Sequence, residues 1–185
     1  PSTTYAKFYL DGVDVGRQFN STKANVGNLD NTSELRLGRA SNGYTSNYFD
    51  GSISSVSLYN VEKSAEEVYA IYQQGITYDE SSLSGLVGYW RMGDDTSKAF
   101  PTIADSSSNS NDGTMTSMAS DDIVQQMVAG YDMGAYDTSS VATTFDVLNF
   151  DGTNDKAENT SFTTHQTNTG TISGWFIFND LDGTQ

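Results

Sequence analysis

A strand followed by a helix is the clearest pattern of hydrophobic and polar positions in this chain, and it lies between Phe49 and Gly75. Val56 and Leu58 alternate with serines, and this two-residue period predicts a β-strand with one apolar face. Ser64 and Glu67 follow at the spacing of a capping box, in which each side chain satisfies the backbone amide of the other. The segment therefore predicts a strand, a short connector and a capped helix.

The predicted helix lies near residues 65–74 and has one apolar stripe. Its apolar residues fall at intervals of three and four, so they share one face of an α-helix: Val68, Ile71 and Tyr72. Gly75 is expected to supply the left-handed residue that commonly ends a helix. This short helix is the only one for which the sequence shows both a start signal and a stop signal.

Alternation also predicts strands before this segment. Residues Tyr5–Leu10 alternate as a half-buried strand does, and Asp11-Gly12 is a hairpin turn signal. Val13 and Val15 begin the return strand, and Leu35 and Leu37 belong to a further strand. Together with the segment above, these elements make a first block of residues 1–75.

A second block is expected from residue 85 to residue 185, after a linker of residues 76–84 whose polar run is typical of a connection between units. One face of its first strand carries Leu86, Trp90 and Met92. Residues Thr171–Phe178 predict another strand, and its end is apolar on both faces, as in a strand packed on two sides.

Residues 119–146 fit this alternation poorly and are interpreted as an inserted loop. Within it, Ile123, Met127 and Val128 suggest a brief helical turn, and Asp132–Tyr136 suggest a strand. The loop is longer than most connections, and long loops frequently carry function.

The first block resembles the closing segment of laminin G-like domains, which are jelly rolls of the concanavalin A type. The resemblance rests on the residues Phe8–Gly16 and Leu35–Arg39 and on the strand and helix of Phe49–Gly75. The second block resembles the opening of such a domain, with the strand Gly85–Trp90, the polar loop that starts at Asp105, and the strand and turn near Asp151. The resemblance implies an all-β fold, an antiparallel β-sandwich of the jelly-roll type with one short helix.

The order of the two blocks is inverted relative to that family, because a closing part precedes an opening part. Two explanations stay open: one period of a tandem array, or a circularly permuted unit whose parts pack on each other. Each half alone leaves strand edges unpaired, and such edges are templates for added strands. We therefore expect the halves to complement each other, either within the chain or between neighbouring chains in a fibre.

The composition narrows the function classes. The chain has 185 residues, a net charge of −15 and only nine Lys and Arg. Nucleic acids and anionic membrane surfaces require clustered basic residues, so both are excluded as partners. No apolar run is long enough for membrane insertion. There is no cysteine, so thiolate chemistry, thiolate metal sites and disulfides are excluded.

The polar loop that begins at Asp105 is the best candidate for a metal site. It offers several hard oxygen ligands within a few residues, which is the set that calcium prefers. The resemblance implies calcium near such loops, and the candidate ligands are Asp105, Asn109, Asn111, Asp112, Asp151 and Asp155. Two observations weigh against calcium. Asp and Asn in such loops commonly form Asx-turns with their own backbone, and serines occupy positions 54 and 55, where many relatives carry acids.

Three tyrosines in or beside loops are candidates for stacking on a sugar: Tyr44, Tyr48 and Tyr131. Trp90 and Trp175 lie in predicted strands and are interpreted as core residues. His165 has no Ser and Asp arranged around it as a catalytic triad needs, so it carries no role.

No catalytic pair of carboxylates is evident. Glycoside hydrolysis needs two carboxylates that flank one bond, whereas Asp94-Asp95 and Asp121-Asp122 are adjacent and would point to opposite faces of a strand. The chain is therefore interpreted as a non-catalytic extracellular, cell-surface or virion-surface module for adhesion or carbohydrate binding, with a glycan or surface polysaccharide as partner. The alternative is a structural fibre or filament subunit whose partners are neighbouring copies of itself or tandem domains. A hydrolase is a third hypothesis.

Overall fold

The computed structural model describes residues 7–16, 34–40, 47–128, 143–160 and 170–178 of the chain. These residues form eleven strands, one α-helix and one turn of 3₁₀ helix. In chain order the elements are β1 (Tyr9–Leu10), β2 (Val13–Asp14), β3 (Leu35–Leu37), β4 (Asp50–Tyr59), α1 (Ala65–Gln74), β5 (Leu86–Trp90), β6 (Thr102–Ile103), β7 (Gly113–Thr116), the 3₁₀ turn Ser120–Asp122, β8 (Ile123–Val128), β9 (Thr143–Asp151), β10 (Lys156–Asn159) and β11 (Thr171–Phe178).

The strands form two antiparallel sheets that pack as a β-sandwich, which confirms the predicted fold class. The larger sheet has five strands, in the order β11, β4, β9 and β8, with β5 paired to the second half of β4. The smaller sheet has the order β3, β10, β7 and β6. A separate hairpin consists of β1 and β2. Among the described residues, no helix is both long and apolar enough to cross a membrane.

Both predicted blocks contribute strands to each sheet. β3 pairs with β10, and β4 pairs with β11 along one edge. On its other edge β4 pairs first with β9, over Asp50–Ile53, and then with β5, over Val56–Tyr59. Each sheet is therefore held together by hydrogen bonds between residues that lie far apart in the sequence.

The change of partner along β4 occurs at two buried serines. The Ser54 hydroxyl donates to the Asp146 carbonyl at 3.0 Å, and the Ser55 hydroxyl donates to the Ile76 carbonyl at 2.9 Å. Ser55 has a φ of 50°, which marks an irregularity between the two halves of the strand. Both serines are almost completely buried. Carboxylates at these positions would be buried charges, so serine suits this site better than the acids of many relatives.

The hydrophobic core lies between the sheets and includes apolar residues from both blocks. β4 contributes Ile53 and Val56, and the apolar residues Leu35 and Leu37 of β3 pack against the same cluster. The second block supplies buried Val87, Trp90, Met92, Ile103, Met115, Leu148, Phe150 and Ala157. Trp90 is thus a core residue, as the sequence predicts. In β5 the fully buried aliphatic residue is Val87, whereas Leu86 is only partly buried.

The capping box and the length of α1 are confirmed. The Ser64 hydroxyl accepts from the Glu67 amide at 3.2 Å, and the Glu67 carboxylate accepts from the Ser64 amide at 2.7 Å. Ile71 is buried in the predicted stripe. Gly75 ends the helix with a φ of 80° and a ψ of 175°. This conformation favours glycine, but it is not the left-handed helical one that we expected.

The hairpin forms as predicted, with Asp11 and Gly12 both at positive φ in its turn. Its apolar residues are less buried than a half-buried strand implies, because Phe8 is 41% exposed and Leu10 is 66% exposed. The hairpin contacts α1, where Gly12 lies beside the Tyr72 ring.

Two expectations about the second block are wrong. Residues 123–128 do not form a helical turn. They form β8, which pairs with β9 over six residues. β11 is not packed on two sides, because Phe176, Ile177 and Phe178 are about half exposed, and among the described strands it is the end strand of its sheet. Local alternation indicates a strand but cannot show its place in the sheet. The suggested strand Asp132–Tyr136 lies outside the described residues.

Glycine at position 38 is expected to be essential to the packing of β3 on the core. Gly38 has a φ of 80°, and a Cβ there would lie 2.3 Å from the Phe150 ring. Gly75 has the same φ, but a Cβ there would meet nothing within 4 Å. Gly38→Ala should therefore lower the free energy of unfolding by about 1–3 kcal/mol more than Gly75→Ala, since only the first change overpacks the core. Urea unfolding of both variants measures the difference, and equal losses would contradict the packing argument.

Candidate functional site

The loop between β6 and β7 contains most of the predicted calcium ligands, and it lies along β5. A backbone bridge joins Asp105 to Trp90 at the end of that strand. The Trp90 indole nitrogen donates to the Asn111 carbonyl at 2.9 Å. The loop thus covers the edge of β5 that faces away from β4.

The Asp105 carboxylate is surrounded by hydrogen-bond donors. One oxygen accepts from the amides of Tyr89 and Ser107, each at 2.8 Å. The other accepts from the Asn111 amide at 2.7 Å and from the Ser107 hydroxyl at 2.8 Å. Asp105 is 8% exposed. Four donors to a buried carboxylate satisfy its charge, so this side chain fixes the loop to β5 without a metal.

The amide side chains of the loop also point to β5. Asn109 and Asn111 both donate to the Val87 carbonyl at 3.0 Å. Asp112 accepts from the Asp105 amide at 3.0 Å with one oxygen, and its other oxygen lies 3.1 Å from the Lys98 ammonium. The bond from the Ser107 amide to Asp105 is the Asx-turn that was the alternative to calcium, and the remaining contacts attach the loop to β5.

The second part of the predicted calcium set lies in the turn between β9 and β10. Asp151 accepts from the Thr153 amide at 2.8 Å, which is an Asx-turn. Asp155 accepts from the Asp151 amide at 3.0 Å and is buried. Burial raises the pKa of the Asp155 carboxyl, and the hydrogen bond from the Asp151 amide partly offsets this rise.

Within the described ranges, no three His, Asp or Glu side chains lie together as a metal site would require. The calcium site over Asp105, Asn109, Asp112, Asp151 and Asp155 therefore stays a prediction, and the geometry gives each of these residues a structural role.

Of the three candidate tyrosines, Tyr48 lies in the described part of the chain, and Tyr44 and Tyr131 lie outside it. Tyr48 is partly buried and forms a backbone bridge with Arg39. The Arg39 guanidinium carbon lies 5.2 Å from the centroid of its ring. One face of the ring is thus in contact with a cation, which holds the ring in place.

Trp175 is partly buried, but it is not a member of the core between the sheets. It lies on the opposite face of β11, where its ring stacks on Tyr72 of α1 with a centroid separation of 5.8 Å and an interplanar angle of 20°. Its role is to attach the helix to the larger sheet. His165 lies outside the described residues.

The adjacent acids contact different elements. Asp94 accepts from the Asp146 amide of β9 at 2.7 Å. Asp95 accepts from the Ser106 hydroxyl at 2.6 Å, and this bond lowers the pKa of Asp95. Burial raises the pKa of Asp94. The two carboxylates thus point to different partners, although they are neighbours in sequence.

A buried polar cluster on the outer face of the larger sheet was not found from the sequence. Glu80 is 2% exposed and lies in the segment that we interpreted as a linker. It accepts a hydrogen bond from the Tyr59 hydroxyl. The Tyr89 hydroxyl donates to the Tyr78 carbonyl at 2.7 Å, and the buried Lys63 ammonium donates to the Ser84 carbonyl at 2.9 Å. Residues 76–84 therefore pack on the sheet.

The pKa values of this cluster reflect its burial. Burial raises the pKa of Glu80, and the hydrogen bond from Tyr59 and the Lys63 charge partly oppose this rise. Burial, followed by the contact with Glu80, also raises the pKa of Tyr59. Nothing in the local sequence signals this cluster, because its polar residues meet only after β4 and β5 have paired.

A cavity of about 10 Å³ lies between the sheets beside Trp90 and Met92. It holds one water at most. A sugar ring does not fit in this cavity.

Comparison with known proteins supports the resemblance of the first block. Residues 2–69 match the family model described as the concanavalin A-like lectin/glucanases superfamily, of the laminin G type. The match confirms the resemblance for the hairpin, β3, β4 and the start of α1. It does not reach the second block, so the tandem arrangement of a closing and an opening part stays a prediction. Searches among curated proteins and among solved structures each found no match.

Stability should depend on the charge state of Glu80. Its pKa is raised in the folded protein, so above its ordinary value of 4.5 the folded state retains a proton that the unfolded chain releases. The free energy of unfolding contributed by this group is therefore present at low pH and is lost as pH rises through the raised pKa. Glu80→Gln should abolish this fall in the free energy of unfolding with rising pH. Glu66→Gln, on the exposed side of α1, should leave the fall unchanged. Denaturant unfolding over a pH series measures both slopes, and a Glu80→Gln slope equal to that of the wild type would contradict the assignment.

A second expectation concerns Asp105. Asp105→Asn replaces an acceptor oxygen by an amide group that faces donors, so it should lower the free energy of unfolding by about 1–3 kcal/mol. Asp151→Asn, at an exposed turn, should cost much less. Thermal unfolding with calcium and with a chelator distinguishes a loop that only covers the edge of β5 from a loop that binds calcium. Equal melting temperatures support the edge cover, and a calcium-dependent rise that Asp105→Asn abolishes would establish a metal site instead.

Proposed function

We propose that this chain, as a concanavalin A-like β-sandwich, is a non-catalytic module for adhesion that binds carbohydrate at its surface. The observation that carries the proposal is the superfamily match over residues 2–69 together with the sandwich fold. This fold is typical of modules that bind without catalysis. The proposed setting is the outside of a cell or virion, where a glycan or surface polysaccharide is the partner.

The residues proposed to contact the sugar are Tyr44, Tyr48 and Tyr131. Tyr48 supports this proposal, because its ring is held by Arg39 and is not part of the core between the sheets. An aromatic ring fixed in this way loses little conformational freedom when a sugar ring stacks on it. Calcium, if it bridges the sugar, is proposed at the Asp105 loop, where the ligands are Asp105, Asn109, Asp112, Asp151 and Asp155.

A glycan array with the purified chain tests carbohydrate binding. We expect a defined set of sugars to bind, and Tyr48→Ala should weaken that binding roughly fivefold, since an aromatic contact contributes about 1 kcal/mol. Tyr69→Ala is the matched control, because Tyr69 is 45% exposed on α1 and is not among the proposed contact residues. Arrays with and without a chelator show whether calcium takes part. A chain that binds no glycan in either condition would refute the carbohydrate role.

A second role, as a fibre or filament subunit assembled by strand complementation between neighbouring chains, is favoured by a specific observation. β11 is the end strand of its sheet, and no described strand pairs with its outer edge. Unpaired edges accept strands from other chains. Electron microscopy of the purified chain tests this role, and isolated particles at every concentration would count against it.

A further inference from the structure

Four Asp-Gly pairs lie in the described part of the chain, and they differ in how firmly the fold holds them. The pairs begin at Asp11, Asp50, Asp112 and Asp151. An aspartate followed by glycine is prone to rearrange its backbone, because glycine has no side chain to keep its own amide nitrogen away from the aspartate carboxyl group. The related pairs Asn42-Gly43 and Asp182-Gly183 lie outside the described residues.

Three of the four pairs are held by native hydrogen bonds. Gly51 is paired with β11 on one side and with β9 on the other. The Asp112 carboxylate accepts from the Asp105 amide at 3.0 Å. The Asp151 carboxylate accepts from the Thr153 amide at 2.8 Å. In each of these pairs, native hydrogen bonds have to break before the carboxyl group and the glycine nitrogen can meet.

The fourth pair lies in an exposed turn. Asp11 is exposed, and within the described residues its carboxylate has no hydrogen bond and no ion pair. Asp11 and Gly12 are the two central residues between β1 and β2, since Leu10 pairs with Val13. The closing hydrogen bond of such a turn joins the two flanking residues, so it does not use the Gly12 amide. Both strands are only two residues long, and short hairpins open easily.

We propose that Asp11 is a site of spontaneous backbone modification, at which the link between Asp11 and Gly12 rearranges to isoaspartate. The Gly12 nitrogen attacks Cγ of the protonated Asp11 carboxyl group and forms a new N–Cγ bond. The carboxyl group loses its OH, which leaves with the amide proton as one water molecule, and a five-membered succinimide ring results.

Water then opens this ring by breaking one of its two bonds between nitrogen and a carbonyl carbon. Attack at the side-chain carbonyl restores aspartate. Attack at the main-chain carbonyl leaves the backbone running through Cβ and Cγ of residue 11, which is isoaspartate. The water lost in the first step is regained in the second, so no oxidant, cofactor or enzyme is needed.

The modification should loosen the hairpin from the helix. Isoaspartate adds one carbon atom to the backbone of a two-residue turn, and this changes the pairing that the turn fixes. Gly12 also packs on α1, where a Cβ would lie 2.9 Å from the Tyr72 side chain. We therefore expect the hydrogen bond from the Val15 amide to the Phe8 carbonyl, 3.0 Å long, to weaken.

Ageing of the folded whole chain at neutral pH and physiological temperature tests the proposal. Peptide mapping by mass spectrometry, with electron-transfer fragmentation to distinguish isoaspartate from aspartate, gives the rate at each position. We expect isoaspartate to accumulate at position 11 at least about tenfold faster than at positions 50, 112 and 151, because only those three must first break native hydrogen bonds. Hydrogen exchange should show the Val15 amide losing protection over the same period.

Two substitutions at position 11 change the chemistry of the side chain and keep it polar. Asp11→Asn should react several-fold faster, because its amide forms the same ring more readily and releases ammonia, and asparagine suits this turn. Asp11→Glu keeps the charge and should stay unmodified, because its longer side chain would have to close a six-membered ring. Circular dichroism shows that both variants are folded.

Ageing in guanidinium chloride is the control for local sequence, because the unfolded chain holds none of the four pairs. Similar rates at the four positions in denaturant, with position 11 fastest in the folded chain, support the proposal. Equal rates in the folded chain overturn it. The same lead of position 11 in denaturant overturns it as well, since the neighbouring residues and not the fold would then decide. Equal loss of Val15 protection in Asp11→Glu overturns the effect on the hairpin.

Discussion

The pairing of β4 on both of its edges is the interaction on which the rest of the structure depends. Along one edge it bonds to β11, and along the other it bonds to β9 and then to β5. All three partners come from the second predicted block, which begins at residue 85. A strand that is hydrogen-bonded on both edges satisfies its backbone groups within the sheet, and this lets it lie in the interior with Ile53 and Val56 in the core.

The change of partner along β4 requires polar side chains inside the protein. Further polar side chains are buried on the outer face of the same strand. Ser54 and Ser55 bond to carbonyls of other segments, and Glu80 with Tyr59 fills the space over the sheet. Buried polar groups are tolerated where each has a partner. The polar segment between the two blocks therefore contributes to the sandwich itself.

The same requirement explains the loop at Asp105. β5 has β4 on one edge only, and the other edge is covered by side chains that bond to its backbone at Tyr89 and Val87. The carboxylate and amide groups of this loop have the composition of a calcium site. In this structure they bond to the backbone of β5 and so complete the sheet. By contrast, β11 has no such cover on its outer edge in the described part of the chain.

The sequence by itself determined the local elements and the family resemblance of the first block. The capping box, the hairpin turn at Asp11 and Gly12, the strand at Val56 and the jelly-roll resemblance all depend on short-range patterns, and each was predictable. Only the tertiary structure decided that residues 123–128 form a strand, that β11 lies at the end of a sheet, and that Glu80 is buried. These properties depend on which distant segments become neighbours. An alternating pattern fixes which face of a strand is apolar, but not what lies against that face or beside its edges.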